Sequence, residues 1–296
     1  MRIMWIESFL KYLELERNYS PRTIRSYGDS LLTFEKFFKK NTETVKWDTV
    51  DSDIIRNWVM GMTDSGAQPT TVNRNLSALR SFFSYLMRIG AVEVNPATKV
   101  KGPKKAKPLP YFLKESETDR LMDSALYPAD FIGLRDRTIL TLFYETGIRL
   151  SELEGLNYTD VDLISSQLKV TGKRNKQRIV PFGPELKSLL EQYQAARESH
   201  CEPTECALFI NGKGKRLNKG SIAQLTHKYL SMVTTIKKRS PHVLRHTFAT
   251  QILNHDGNLE TVKELLGHES VATTEIYTHT TFEELKKIYK QAHPRS

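Results

Sequence analysis

The segment SPHVLRHTFATQILNHDGNLETVKELLGHESVATTEIYTH, residues 240–279, combines strong helix signals with reactive side chains. Ser240 followed by Pro241 predicts a helix start, because serine caps helix N-termini and proline suits the first helical position. His242 and Arg245 then lie three residues apart on one face of the first turn. This helix therefore presents an imidazole and a guanidinium together.

The second half of the segment adds another histidine and a tyrosine. A second helix is predicted to start near Asn258 and to end at Gly267, since glycine suits the left-handed position after a helix. His268 then follows a helix end directly, and Ser270 can cap a third helix that leads to Tyr277. A tyrosine near a helix end is more often a packing residue. Beside an arginine and histidine turn, however, it becomes a candidate nucleophile.

The composition predicts a soluble, globular protein of one large domain or two ordinary ones. The chain has 296 residues, of which 39% are hydrophobic and 26% charged. The net charge of +10 favours a polyanionic partner, the alternative being a basic solvated surface with no partner. The charged N-terminus excludes a signal-peptide core, and no apolar run reaches membrane length. The two cysteines form no disulfide framework, which indicates a reduced, cytoplasmic protein.

The segment KVKGPKKAKPLP, residues 99–110, divides the chain. Its five lysines, three prolines and one glycine predict an extended basic linker. Residues 1–98 before it show four amphipathic helical stretches with short polar connections, typical of a helical bundle. Residues 1–110 hold 18 Lys and Arg against 11 Asp and Glu, a net charge of +7. We therefore expect a small basic domain, a linker and a larger domain over 111–296.

Four arginines on the second and fourth predicted helices are candidate DNA contacts. They lie near Thr, Asn and Ser residues, and such side chains bind phosphates or base edges. The alternative, that they belong to solvated helix faces, is equally consistent with the pattern. The four candidates are Arg22, Arg25, Arg74 and Arg80.

In the larger domain, one arginine lies at a junction between two predicted helices. Gly147 ends the first helix, and Ser151 with Glu154 forms an S-x-x-E capping box that predicts the start of the next. Arg149 lies between these signals. Glu152, in the first turn of the second helix, is placed to hold a neighbouring basic group.

In the segment SQLKVTGKRNKQRIVPF, residues 166–182, two stretches of alternating polar and apolar residues flank a polar turn. This pattern predicts a β-hairpin with Lys173 at its turn. A hairpin lysine usually serves solubility, but its mobility would also let the ammonium reach a DNA backbone. The loop GKGKR, residues 212–216, lacks the spacing of a phosphate-binding loop, so nucleotide binding is not expected.

Brought together, these side chains would suit phosphodiester chemistry without metal or cofactor. Two guanidiniums match the oxygens of a phosphodiester, a cationic surround favours the phenolate, and a lysine can protonate the leaving 5′-oxygen. No carboxylate cluster suited to Mg²⁺ accompanies them. His242 and His246 have the i, i+4 spacing of zinc ligands, but Val243 stands where a metalloprotease has glutamate. The set is Arg149, Lys173, His242, Arg245, His268 and Tyr277.

The motifs ETGIRLSEL, TGKRNKQRIVPFG, HVLRHTFAT, LLGH and TTEIYTH, in this order over residues 145–279, resemble the tyrosine recombinase family. The whole chain is similar to its Xer branch. Arg174 stands where related hairpins often have glycine, and either Lys173 or Lys176 can be the proton donor. The resemblance assigns roles to seven residues: Arg149 as first catalytic arginine, Glu152 as supporting acid, Lys173 as hairpin lysine, His242 and Arg245 as the H-x-x-R box, His268 as second histidine, and Tyr277 as nucleophile toward the 3′-phosphate.

The resemblance also implies a fold and a reaction. The fold would be mainly α, with a four-helix SAM-like core-binding bundle and a mostly helical catalytic domain carrying a small antiparallel β-sheet, forming a C-shaped DNA clamp. Four protomers would hold two double-stranded core sites and exchange strands through a Holliday junction, with the C-terminal helix from Phe282 docked in a neighbour. The Xer task would be chromosome dimer resolution at the nucleoid, with a second related recombinase and a septal DNA translocase.

Three alternatives share parts of this pattern. A mobile-element integrase would use the same chemistry at another DNA site. A non-catalytic DNA-binding regulator would need basic residues but not Tyr277. A type IB topoisomerase would use similar chemistry without a defined partner site.

Overall fold

Proline and glycine signals set many of the element boundaries in the computed structural model. The structure describes residues 3–41, 46–104, 111–172, 175–202, 204–254 and 265–266. The chain divides into two compact units, Met1–Pro108 and Leu109–Ser296. No helix in these described ranges is long and apolar enough to cross a membrane.

The first unit is built from four helices in the part of the chain that is described. Two of them begin at proline, whose fixed φ suits the first helical position. Asp51 caps a third, since its carboxylate accepts hydrogen bonds from the Asp53 and Ile54 N–H groups at 2.9 and 2.8 Å. The helices are α1 (Ile3–Leu15), α2 (Pro21–Asn41), α3 (Ser52–Asp64) and α4 (Pro69–Arg88).

Aromatic rings fill the centre of this unit. Phe34 of α2 meets Trp58 of α3 edge to face, with ring centroids 4.9 Å apart. Trp47, from the short 3₁₀ turn Trp47–Thr49, meets Phe82 of α4 in the same way at 4.7 Å. Edge-to-face pairs add to the free energy gained by burying their area. The four apolar stripes of the sequence therefore meet in one core.

The first residues of the predicted linker pack on this unit. Val100 is only 2% exposed and belongs to the same core. The Asn73 side chain on α4 donates a hydrogen bond to the Pro103 carbonyl at 2.9 Å. The first residues of the predicted linker therefore pack on the helical unit, because a single valine in the polar run finds an apolar site.

The second unit contains six further helices within its described residues. Glycine ends α6 in the left-handed conformation, with φ of 58° at Gly147, as the sequence predicted. The helices are α5 (Glu115–Met122), α6 (Phe131–Thr146), α7 (Leu150–Gly155), α8 (Pro184–Glu198), α9 (Lys219–Val233) and α10 (Pro241–Asn254).

A three-stranded antiparallel sheet lies between α7 and α8 in sequence. Its strands are β1 (Val161–Asp162), β2 (Gln167–Thr171) and β3 (Gln177–Pro181), in the order β1-β2-β3. The register pairs Leu168 with Val180 and Val170 with Arg178. The Gly172 N–H donates to the Lys176 carbonyl at 2.7 Å and closes the hairpin. The hairpin is confirmed, whereas the short strand β1 was not expected.

Helix α6 lies at the centre of the second core. Leu140, Phe143 and Tyr144 on this helix are almost completely buried, and α6 packs against both α8 and α10. A helix buried on most sides carries apolar residues around its circumference rather than on one stripe. The predicted fold class, mainly helical with a small antiparallel sheet, is confirmed.

Candidate active site

Arg149 lies at the junction between α6 and α7. Gly147 turns the chain in the left-handed conformation, and the next residue, Ile148, is completely buried. Arg149 then takes an extended conformation at the N-cap of α7. Its side chain remains 36% exposed, so the guanidinium stands at the surface of the unit.

Glu152 caps α7 from inside the helix. Its Oε2 accepts the Arg149 backbone N–H at 2.8 Å, and its Oε1 accepts the Arg149 Nη1 at 2.8 Å. The predicted Ser151 and Glu154 capping box is therefore wrong, because the Glu152 carboxylate accepts the Arg149 N–H and makes Arg149 the N-cap, two residues earlier. Glu154 instead accepts hydrogen bonds from the backbone and side chain of Lys219. Glu152 thus contacts both the backbone and the side chain of Arg149.

Arg178 of β3 binds the same carboxylate. Its Nη1 donates to Oε1 and its Nη2 to Oε2 of Glu152, each at 2.9 Å. Such a bidentate pair uses the matched geometry of a guanidinium and a carboxylate. Glu152 is 2% exposed, and Arg178 is 17% exposed. A buried carboxylate thus accepts four hydrogen bonds from two arginines.

Arg245 of α10 is held by two backbone carbonyls. Its Nη1 donates to the Gly147 carbonyl at 2.6 Å, and its Nη2 donates to the Leu266 carbonyl at 2.7 Å. The residue is 7% exposed. Because Gly147 precedes Arg149 by two residues, this bond brings the two predicted catalytic arginines to one place.

Two consecutive backbone carbonyls, those of Leu265 and Leu266, accept hydrogen bonds from two of these guanidiniums. Arg178 donates through Nε to the Leu265 carbonyl at 3.0 Å, next to the Leu266 carbonyl bound by Arg245. Leu265 and Leu266 are helical and pack with Phe248 and Ile252 of α10. Leu265 and Leu266 are therefore held by two arginines.

The charges in this cluster shift one another's protonation equilibria. Burial acts to raise the pKa of Glu152, but hydrogen bonds from Arg178 and Arg149 outweigh it, so this pKa lies below its usual value. Burial first, and then the charge of Arg149, lowers the pKa of Arg245 to about 10. Glu152 is therefore ionised and Arg245 protonated at neutral pH.

His242 stands on α10, one turn before Arg245, and its side chain is exposed. His246, one turn beyond it, is also exposed at the surface. Burial first, and then the charges of His242 and Arg245, lower the pKa of His246. Among the residues that the structure describes, no group of three or more His, Cys, Asp or Glu side chains is placed to hold a metal ion.

Three predicted site residues, Lys173, His268 and Tyr277, lie outside the described residues. The expected helices after residue 267, including the one from Phe282, lie outside them as well. Lys176, the second candidate proton donor, is described and its side chain is exposed. The structure thus brings together Arg149, Glu152 and Arg245, with His242 one turn from Arg245.

The four candidate DNA-contact arginines divide into two groups. Arg22, Arg25 and Arg74 are exposed on α2 and α4. Arg80 instead donates through Nε to the Ala97 carbonyl at 3.1 Å and through Nη2 to the Val100 carbonyl. The expectation for Arg80 is therefore corrected: its guanidinium holds the turn after α4.

Arg178 was missed at the level of sequence, although a signal was present. It falls in the same alternation phase as Val180, which is completely buried, while Ile179 between them is 38% exposed. An arginine in the inward phase of a strand requires a buried acceptor, since burying an unpaired charge is costly. That acceptor is Glu152, which the sequence had already singled out.

Two family models match this chain. The phage integrase family model matches residues 111–284, and the model of the phage integrase N-terminal SAM-like domain matches residues 6–90. Together they span most of the sequence. The chain belongs to the phage integrase family, the family of tyrosine site-specific recombinases.

Curated relatives place the chain in the Xer branch. A tyrosine recombinase XerC of Thermodesulfovibrio yellowstonii is 39% identical over 299 residues, covering 99% of this chain and 97% of the relative. A XerC of Chlorobaculum parvum is 37% identical, with coverages of 99% and 95%. A tyrosine recombinase XerD of Oceanobacillus iheyensis is 35% identical, with 98% coverage of both chains.

Solved structures share the fold. XerH recombinase bound to palindromic difH substrate matches 95% of this chain and 83% of its own, with a TM-score of 0.74 and 24% identity. A lambda integrase dimer bound to a COC′ core site matches 92% of this chain and 96% of its own, with a TM-score of 0.69 and 17% identity. At these identities the likeness concerns the fold alone.

Proposed function

We propose that this chain cleaves and rejoins double-stranded DNA at a specific core site through a 3′-phosphotyrosyl bond to Tyr277. The observation that carries the proposal is the pairing of Arg149 and Arg245, anchored by Glu152 and by the Gly147 and Leu266 carbonyls. Two fixed guanidiniums at one place suit a phosphate whose negative charge grows toward the transition state.

Each residue has a defined step in this reaction. The Tyr277 phenolate oxygen attacks the scissile phosphorus, and the bond from phosphorus to the 5′-oxygen breaks. Lys173, or Lys176, gives its proton to that 5′-oxygen, while His242 and His268 position the phosphate. A 5′-hydroxyl of the partner strand then attacks the phosphotyrosine and releases the phenol. The bond energy is conserved in the covalent intermediate, so the exchange requires no nucleotide.

The two units divide the work in this proposal. The helical domain, residues 1–98, binds one face of the duplex through Arg22, Arg25 and Arg74, which are exposed on α2 and α4. Residues 111–296 hold the reaction site, and residues 99–110 join the two domains. Four protomers on paired sites exchange strands through a Holliday junction. The net charge of +10 supports a nucleic-acid partner.

For the biological task, we propose chromosome dimer resolution, with a second related recombinase and a septal DNA translocase as partners. The high coverage of relatives named XerC and XerD supports this choice over a mobile-element integrase. Selection of bound sequences from the host genome tests it. Enrichment of one chromosomal site supports the task, and enrichment of mobile-element ends overturns it.

The chemistry is tested with a nicked suicide duplex that carries the selected site. The wild type is expected to give a covalent protein–DNA band on a denaturing gel, and Tyr277→Phe is expected to give none. A wild type without such a band, or a band that persists in Tyr277→Phe, contradicts the proposal. Tyr158→Phe, which changes an exposed tyrosine of the second unit, is the matched control and should keep the band.

A further inference from the structure

The Arg178 side chain makes three hydrogen bonds to residues outside its own hairpin. Its guanidinium donates to both carboxylate oxygens of Glu152 and to the Leu265 carbonyl. Three separate parts of the chain, strand β3, helix α7 and the residues before His268, therefore meet at one side chain. We infer that Arg178 is a positioning residue for strand cleavage, acting through Glu152 on Arg149 and through Leu265 on the neighbouring carbonyl that binds Arg245.

The first connection sets the state of Glu152. The carboxylate is faced by Arg149 from the start of α7 and by Arg178 from β3, and the charge of Arg245 on α10 is near enough to interact. Without Arg178, the buried carboxylate would be balanced mainly by Arg149. That arginine would then be drawn toward Glu152 and away from a bound phosphate, since a buried charge without enough partners is costly.

The second connection concerns the position of Leu265 and Leu266. Arg178 and Arg245 each donate to one of two consecutive carbonyls. Arg245 alone would leave the Leu265 carbonyl without this partner. A buried carbonyl that loses its donor is destabilising, and this cost favours another arrangement of Leu265 and Leu266. Loss of Arg178 therefore affects Arg149 through Glu152, and Arg245 through the Leu266 carbonyl next to Leu265.

Lysine cannot replace this arginine. Its single ammonium cannot make a planar bidentate pair with Glu152 and also reach Leu265. Arg178→Lys keeps the charge and removes only the geometry. Because the role rests on the proposed cleavage reaction, the test measures cleavage, DNA binding and folding separately.

The experiment uses the full chain and a suicide duplex carrying the site selected from the host genome. For Arg178→Lys we expect the single-turnover cleavage rate to fall between about 10-fold and 100-fold, the range typical when a partner that orients a reactive side chain is lost. The Kd for the duplex should change by less than about threefold. The acid limb of the rate against pH should move upward, because Glu152 is easier to protonate without its bidentate partner.

The matched control is Arg197→Lys in the same unit. Arg197 is also buried and donates to two backbone carbonyls, those of Ala207 and Glu205, but within the described part of the chain it contacts no residue of the site. Its replacement should lower thermal stability while leaving the cleavage rate and its pH dependence unchanged. An equal rate loss in Arg197→Lys would mean that any structural damage suffices, and this result overturns the inference.

A second variant keeps the test decisive if Arg178→Lys does not fold. Glu152→Gln with Arg178→Gln removes both buried charges together, which costs less stability than removing one. This double variant is expected to cleave slowly with a flattened acid limb, and wild-type kinetics would overturn the inference. If the wild type itself forms no covalent adduct, the proposed function fails and this inference with it. If the wild type cleaves the duplex and Arg178→Lys cleaves it at the same rate, only this inference fails and the proposed function stands.

Discussion

Glu152 shows how one buried carboxylate can organise a cationic site. It accepts four hydrogen bonds, two from Arg149 and two from Arg178. A carboxylate alone at this burial would be protonated more easily, but the two arginines keep it charged. The negative charge in turn allows two guanidiniums to stand close together beside a third, that of Arg245.

This ionisation couples stability to pH. The pKa of Glu152 is below its ordinary value of 4.5 in the folded chain, so its contribution is fully present above about pH 4.5. It is lost as pH falls through the folded pKa, because the unfolded chain takes up the proton first. We expect Glu152→Gln to be less stable than the wild type at pH 7, with the difference shrinking toward pH 3. Urea unfolding at several pH values measures this, and a constant difference contradicts it.

Arg74 and Arg80 lie on the same helix, but the first is exposed and the second is hydrogen-bonded to backbone carbonyls. Arg80→Ala removes donors from the Ala97 and Val100 carbonyls and should destabilise the chain by about 1–3 kcal/mol. Arg74→Ala, at an exposed position, should change stability by less than about 0.5 kcal/mol while weakening duplex binding. Urea unfolding and a binding titration separate the two effects. Reversal of these outcomes would return Arg80 to the DNA-contact group.

At the scale of elements, the turn between α6 and α7 controls the site. It carries Gly147, whose carbonyl binds Arg245, and Arg149, whose backbone N–H binds Glu152. The left-handed φ of 58° at Gly147 directs the chain from the buried helix α6 toward the surface. A helix end thus brings together residues almost one hundred positions apart.

Gly147→Ala should damage this turn. A Cβ would lie 2.5 Å from Phe248 Cδ1 and 2.7 Å from Leu266 Cδ2, in a conformation unfavourable for alanine. We expect a loss of about 2–4 kcal/mol in the free energy of unfolding, together with slower cleavage. Gly155→Ala is the control, because a Cβ there meets no atom within 4 Å. Urea unfolding should give the control a free energy of unfolding within about 1 kcal/mol of the wild type. Equal free energies of unfolding for the two variants would contradict the expected damage at Gly147.

At the scale of the whole molecule, charge is distributed unevenly along the chain. Residues 1–110 carry a net charge of +7, although they make up little more than a third of the sequence. Phosphate contacts by such a region release counterions from DNA, and this release makes binding depend on salt. The first unit is therefore expected to supply most of the affinity for duplex DNA, and the second unit to carry out the reaction.

We expect the logarithm of the duplex association constant to fall linearly with the logarithm of salt concentration. The magnitude of this negative slope should become smaller by about 0.9 for each phosphate contact removed. Replacing Arg22, Arg25 and Arg74 by glutamine should reduce the magnitude of the slope by about 2–3. Arg120→Gln, which replaces an exposed arginine of the second unit, should change the slope little. Titrations at several salt concentrations measure both. An unchanged slope in the triple variant removes these arginines from the interface.

The sequence by itself determined the helix boundaries at Pro241 and Gly147, the hairpin of β2 and β3, and the family, because these depend on local backbone preferences and short motifs. It also singled out Arg149, Glu152 and Arg245, though not their contacts.

Only the tertiary structure decided that Arg178 faces Glu152, that the Gly147 and Leu266 carbonyls hold Arg245, and that Arg80 belongs to its own unit. These contacts join residues between 17 and 98 positions apart. The physical reason is that a local periodicity shows which face of an element is buried. It does not show which distant group meets that face, because that choice depends on how all elements pack together.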